Sequence, residues 1–215
     1  MTSACAKTRI KMCGLTRPQD MQAAVDAGAD AVGLVFYPPS PRHVGLEQAA
    51  ALARQVPPFV TLVGLFVNAD PAQVQASLAA LPIHLLQFHG DEDDAYCRQF
   101  GRPFIKAARV RPGIDLLQCI ASYPSAQAIL LDAFVEGYGG GGKVFDWSLI
   151  PASPEKPIIL SGGLDAHNVG DAVRRVRPAA VDVSSGIEAG KGIKDAEKIR
   201  DFVAAVRCAD AEIAG

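Results

Sequence analysis

The 215-residue sequence predicts an α/β fold, a (β/α)8 barrel of eight parallel strands. Three observations predict it. Short apolar runs alternate with helical stretches at intervals of roughly 20 to 30 residues, the crossover length that parallel neighbours need. The alternation runs through eight units, which suit a closed barrel better than an open doubly wound sheet. The runs are apolar nearly throughout, as in a sheet covered on both faces.

Taken in order, residues 9–13 form the first strand and residues 18–27 a helix, with Pro18 near its start and Gly28 as its stop. Residues 31–36 form the second strand, followed by a Pro-rich loop, 37–43, and an Ala-rich helix, 46–56. The third strand covers 59–67, and Asp70 caps a helix to about Leu81. Strand four is 83–88 and its helix 91–100; strand five is 103–109 and its helix 112–122. Strand six is 128–132, followed by a glycine run and a short helix near 147–150. Strand seven is 157–161, with a helix from Asp165 to Val176, and strand eight is 180–184, with a helix from 194 to 206. One domain over 1–215 is expected, with loose ends at about 1–7 and 208–215.

Hydrophobic residues make up 49% and charged residues 20%, the balance of a soluble globular chain. Twenty-one basic against 23 acidic side chains leave a net charge of −2, so nothing favours nucleic acid or an anionic membrane as partner. No apolar run approaches the roughly 20 residues of a membrane helix. The N-terminus lacks the apolar stretch of a signal peptide, and five scattered cysteines show neither metal spacing nor a disulfide framework. A reducing cytoplasm, no metal and a monomer are the resulting expectations.

A barrel of this kind carries its active site at the C-terminal strand ends. Those ends are Cys13, Phe36, Asn68, His89, Arg109, Asp132, Ser161 and Ser184. Asp132 closes an apolar run and precedes Gly137–Lys143, a stretch with four consecutive glycines. It is either a turn-capping acid or a proton donor under a glycine-rich lid. Gly162 and Gly163 after strand seven, with Ser184, Ser185 and Gly186 after strand eight, let backbone N–H groups approach an anion, so a phosphate is favoured there over a plain tight turn. Arg42, on a backbone stiffened by prolines, suits a carboxylate or a second phosphate. His89 either bonds a polar group of the substrate or caps its own turn. His43, His84 and His167 read as surface or turn residues. A thiol needs help to act as a base. Lys11 lies two residues before Cys13 on the same strand face, and Asp182 on strand eight neighbours it if the barrel closes. A Lys11–Asp182 pair is therefore expected, either purely structural or lending its lysine field to a Cys13 thiolate.

Several stretches stand out together: Lys11-Met-Cys-Gly-Leu-Thr16, Gly33-Leu-Val-Phe36 with Ser40-Pro-Arg42, Gly64-Leu-Phe-Val67, Gln87-Phe-His-Gly-Asp91, Leu131-Asp132 with the glycine run and Phe145-Asp-Trp147, Ser161-Gly-Gly-Leu164, and Val181-Asp-Val-Ser-Ser-Gly186. As a set they resemble the phosphoribosylanthranilate isomerase family of tryptophan biosynthesis. They extend over residues 9 to about 195. Gly141 stands where Thr or Ser is usual, and Met12 where Ile or Val is common. The resemblance implies the TIM-barrel fold and an aldose–ketose isomerase without cofactor. Its substrate is a phosphorylated sugar–anthranilate, which undergoes an Amadori rearrangement. It implies Asp132 as general acid and Cys13 as general base. It places Arg42 on the anthranilate carboxylate and the turns holding Gly162, Gly163, Ser184, Ser185 and Gly186 on the phosphate, with His89 and Asp182 also in the substrate site. Acid duty requires a protonated Asp132, which burial under the lid would favour. The histidine-pathway isomerase, a chemical rival, requires an Asp where Cys13 stands. A non-catalytic phosphate-binding barrel has no reason to place Cys13 and Asp132 at one mouth.

Overall fold

Closure of the first strand on the last makes the barrel. The structure, a computed structural model, describes residues 7–111, 113–133, 145–151 and 154–215. Eight strands pair in parallel: β1 (Arg9–Cys13), β2 (Ala31–Val35), β3 (Thr61–Phe66), β4 (Leu85–Phe88), β5 (Phe104–Val110), β6 (Ala128–Ala133), β7 (Ile158–Leu160) and β8 (Ala180–Val183). β8 pairs back onto β1, with Lys11 beside Asp182. The helices are α1 (Pro18–Asp26), α2 (Leu46–Ala53), α3 (Pro71–Ala80), α4 (Asp94–Arg98), α5 (Leu116–Ala121), α6 (Val169–Val176) and α7 (Ala196–Ala214).

Alternation along each strand decides what faces inward. Ile105, Ala107, Ala128, Leu130 and Ile159 pack against one another inside the barrel. The intervening residues, such as Ile10, Met12, Leu34, Phe66, Phe88, Ile129, Leu131 and Val181, fill the larger core between barrel and helices. Aromatic rings order part of that outer core, with Phe36 stacked on Phe66 at 5.1 Å. Lys11, Gln87, Asp132 and Asp182 share the inward face, and Gln87, Asp132 and Asp182 meet at its C-terminal end, whereas Lys106 on β5 turns outward to Glu92.

Several boundaries differ from the sequence expectation, each for a local reason. α4 starts at Asp94, not Asp91, because Asp93 accepts from the Tyr96 amide and caps it. Glu92 is instead buried, accepting from the Asn68 and Gly90 amides. α5 starts at Leu116 because Asp115 caps it through the Gln118 amide. Asp165 does not cap α6. Its carboxylate accepts from the His167 and Asn168 amides in a turn, and the helix begins at Val169. The short helix after β6 is one 3-10 turn, Trp147–Leu149. The glycine-rich lid falls on residues 134–144, outside the described residues, as does most of the N-terminal segment 1–7.

The loose C-terminal tail is overturned. α7 runs to Ala214 and buries Ile199, Phe202, Val206 and Ala209. Asp210, inside the supposed tail, accepts from both the amide and the hydroxyl of Thr8, and Arg207 donates to the Thr8 carbonyl at 2.7 Å. The last helix thus holds the start of the first strand. A further element was not expected from sequence: after a 3-10 turn at Ser185–Ile187 comes a small antiparallel hairpin, β9 (Glu188–Gly190) with β10 (Ile193–Lys194).

Candidate active site

The inward-facing ends of the strands surround a cleft of about 680 Å³, open space at its mouth included. It gathers Cys13, Arg42, His89, Asp132, Gly162, Gly163, Asp182, Ser184 and Ser185 from the sequence-derived candidates. Gly186 does not line it. A Cβ at that position would collide with the Leu164 carbonyl, so the glycine lets the turn after β8 pack on the turn after β7.

On the β1 side, the Lys11 ammonium donates to Asp182 Oδ1 at 2.7 Å, and both side chains are buried. Asp182 Oδ2 accepts from the Ser161 hydroxyl at 3.3 Å. Burial opposes the charge on Lys11, but Asp182 and the neighbouring Cys13 outweigh it and hold the ammonium more firmly than water would. Burial is also the largest influence on the Cys13 thiol and pushes it up; Lys11 pulls it down and Asp182 pushes it up, and the net direction is up. Lys11 therefore acts on the thiol in the direction the field reading requires, but desolvation outweighs it. Gly33 on β2 gives the thiol its room: a Cβ there would lie 2.9 Å from Cys13 Sγ and 3.4 Å from Lys11 Nζ.

Across the cleft, Asp132 Oδ2 lies 3.2 Å from His89 Nε2, and Gln87 Nε2 lies 3.1 Å from His89 Nδ1. His89 lines the cleft, with both ring nitrogens beside side chains of the site. It links β4 to the carboxyl at the end of β6. Gln87, wholly buried, is a member of the site that sequence reading had left without a role. Arg109 stands apart at the rim, 2.9 Å from Asp91.

The turn after β7 is made by consecutive glycines with positive φ, 84° at Gly162 and 63° at Gly163. Gly162 also has no space for a side chain, since a Cβ would come within 2.5 Å of the Ala133 amide nitrogen. Asn168 pins this turn by donating to the Gly163 carbonyl at 2.8 Å. After β8, the Ser184 hydroxyl donates to the Cys13 carbonyl at 3.0 Å. Arg42 is held by Glu188, a residue the sequence did not single out, through bonds of 2.7 and 2.8 Å. Lys194, likewise unforeseen, donates to Glu188 at 2.9 Å.

The arrangement offers a thiol and a carboxyl at one mouth, a guanidinium to one side and a glycine turn to the other. Among the described residues, no group of three or more His, Cys, Asp or Glu is placed to hold a metal ion, and no helix is long and apolar enough to cross a membrane.

Comparison with known proteins gives one consistent answer. The family model of N-(5'-phosphoribosyl)anthranilate isomerase matches residues 10–205. The chain is 66% identical over 207 residues to the N-(5'-phosphoribosyl)anthranilate isomerase of Dechloromonas aromatica, covering 96% of this chain and 100% of that protein. It is similar in fold to a phosphoribosylanthranilate isomerase in complex with reduced 1-(o-carboxyphenylamino)-1-deoxyribulose 5-phosphate. There the TM-score is 0.84 at 38% identity, over 94% of this chain and 99% of that one. It is also similar to monomers generated from the dimeric phosphoribosylanthranilate isomerase of Thermotoga maritima, with a TM-score of 0.82 at 36% identity over 93% and 98% of the two chains.

Proposed function

The chain belongs to the N-(5'-phosphoribosyl)anthranilate isomerase family, and from that premise we propose how its own residues carry the reaction. The enzyme converts N-(5-phospho-β-D-ribosyl)anthranilate to 1-(2-carboxyphenylamino)-1-deoxy-D-ribulose 5-phosphate, an aldose–ketose isomerisation of tryptophan biosynthesis.

Asp132 is the general acid. It gives its proton to the furanose ring oxygen as the C1–O bond breaks, and the anilino nitrogen supplies the electron pair that forms the Schiff base. Cys13 as thiolate then takes the proton from C2. The C2–H electrons become the C1–C2 double bond and the cationic nitrogen is neutralised; the enolamine then relaxes to the ketone as the C2 hydroxyl gives up its proton and C1 gains one. The observation that carries this reading is the placement of Cys13 and Asp132 in one cleft at the same end of the barrel. His89 orients the Asp132 carboxyl through their shared hydrogen bond. Asp182 fixes Lys11, whose charge favours the thiolate form.

Arg42 takes the anthranilate carboxylate. The phosphate is held by the turns at Gly162–Gly163 and Ser184–Ser185, with Gly186 shaping the second turn from behind. Support comes from the positive-φ glycines, which leave their amides open to a close approach, and from the lack of a side chain that would crowd them. The proposal takes residues 1–215 as one domain acting as a monomer in the cytoplasm. The Thermotoga maritima relative is described as dimeric, and sedimentation at micromolar concentration decides between the two states.

A coupled assay on purified protein tests the chemistry. Cys13→Ser and Asp132→Asn should each lower kcat by about 10²- to 10⁴-fold, the usual worth of a positioned acid or base. Near-normal kcat in Asp132→Asn would remove that residue as the acid, and activity surviving both changes would sink the whole assignment.

A further inference from the structure

Arg42 reaches the cleft from the loop after β2, and its guanidinium is gripped from one side. Nε donates to Glu188 Oε1 at 2.7 Å and Nη2 to Glu188 Oε2 at 2.8 Å, with both side chains under a tenth exposed. A fork held through Nε and one terminal nitrogen keeps its outer edge available. Nη1 has no hydrogen-bond partner among the described residues, and Arg42 lines the cleft.

Glu188 is itself anchored. Lys194 Nζ donates to it at 2.9 Å, and the Gly192 amide at 3.3 Å. The Lys194 side chain is fully buried and spends its remaining donors on the Ser184 carbonyl at 2.9 Å and the Ser184 hydroxyl at 3.3 Å. That hydroxyl reaches the Cys13 carbonyl. The β9–β10 hairpin carrying both residues is tied down in turn, by Thr16 Oγ1 to the Gly192 carbonyl at 2.6 Å and by Lys198 Nζ to the Glu188 carbonyl at 2.7 Å.

Charge counting gives the cluster a purpose. Arg42 and Lys194 are two cations against one carboxylate, which leaves one positive charge over in a desolvated place. An unbalanced buried charge is costly. A carboxylate arriving at the outer edge of Arg42 would balance it and meet a guanidinium plane already fixed.

We propose that Glu188 and Lys194 are positioning residues, which hold the Arg42 guanidinium so that its outer edge receives the aromatic carboxylate of the substrate. The inference rests on the reading of Arg42 given above. Neither residue touches the reacting carbons, and the hairpin serves as the rigid support for a binding group supplied by a distant loop.

The test compares two substrates on one variant: phosphoribosylanthranilate, and phosphoribosylaniline, which lacks only the carboxylate. Glu188→Gln should raise KM for the first by about tenfold, the scale of one mispositioned charge-assisted hydrogen bond, with kcat within about twofold. KM for the aniline analogue should stay within about twofold of wild type. Glu188→Asp, which keeps the charge but is too short to serve both nitrogens, should give the same discrimination and covers a failure of the first variant to fold. An equal rise on both substrates, or no rise on either, overturns the proposal. Arg42→Met separates the two levels. If it leaves KM for the carboxylate substrate unchanged, the reading of Arg42 itself fails; if it raises that KM while both Glu188 variants do not, only the positioning role fails.

Discussion

Burial and Lys11 act in opposite directions on Cys13. Cys13 must lose a proton to act as a base, and burial resists that loss. Lys11, on the same strand face, favours it. With Cys13 as the proposed base, the rising limb of kcat/KM with pH should follow its ionised fraction, and removing Lys11 should move that limb to higher pH. In Lys11→Met the alkylation of Cys13 by iodoacetamide should likewise need more alkaline solution than in wild type. An unmoved alkylation profile would show that the lysine charge does not reach the thiol. The same change strips the buried Asp182 of its ion-pair partner and should lower stability by about 3–5 kcal/mol, read from urea denaturation. Gly33 gives a cleaner test of geometry. Its missing Cβ is what lets Cys13 Sγ sit where it does. Gly33→Ala should displace the thiol and cut kcat by about ten- to a hundredfold, with the far-UV circular dichroism spectrum unchanged. Full activity in Gly33→Ala would mean that the thiol has more latitude than the contacts indicate.

At the scale of elements, α7 is the part whose role differs most from its appearance in sequence. Asp210 accepts from Thr8 and is reached by Arg207, so the helix end fastens the chain entering β1. Asp210→Ala leaves the Thr8 amide and hydroxyl short of a partner and should cost about 1–3 kcal/mol in a denaturation midpoint series. No loss would mean that the contact carries no stability. A signal for this helix end was present: Ile199, Phe202, Val206, Ala209 and Ile213 continue a three-to-four spacing past the point where the pattern was read as ending. The eight strands were legible because each is a short, mostly apolar run, and several carry a polar exception on the inward face, as with Lys11, Gln87 or Asp132. The β9–β10 hairpin was not. Its strands, Glu188–Gly190 and Ile193–Lys194, are too short to show a period, and tertiary bonds hold them. Glu188 lies 146 residues from Arg42, so no spacing in the sequence could join them. The Asp165 cap failed for a related reason. Asp is as good a turn-former as a cap, and only the neighbouring Asn168, bonded to the Gly163 carbonyl, decides which role it takes.

For the molecule as a whole, the buried weak acids set a limit on the alkaline side. Burial pushes the Cys13 and Cys119 thiols up, and drives Cys97, Tyr96 and Tyr123 up to about 12 each. Their ordinary values are 9.0 for the thiols and 10.0 for the phenols. Between the ordinary and the raised value the folded protein keeps protons that the unfolded chain sheds, so stability falls as pH rises through that window. Lys11, held above its ordinary 10.5, acts in the same direction at the upper end. Lys194 acts oppositely: burial lowers it, the unfolded chain binds the extra proton, and its contribution grows with pH up to its ordinary value. One opposing lysine does not offset these five buried or half-buried acids and Lys11, so the net slope should be negative from about pH 9 upward. Urea midpoints measured between about pH 8 and pH 11 should be level at first and then decline. Cys97→Ala will start lower because it empties buried volume, but its decline should be shallower, since one of the protons that drives it is gone. Parallel declines in the two proteins would mean that the Cys97 thiol ionises as readily in the folded protein as in the unfolded chain.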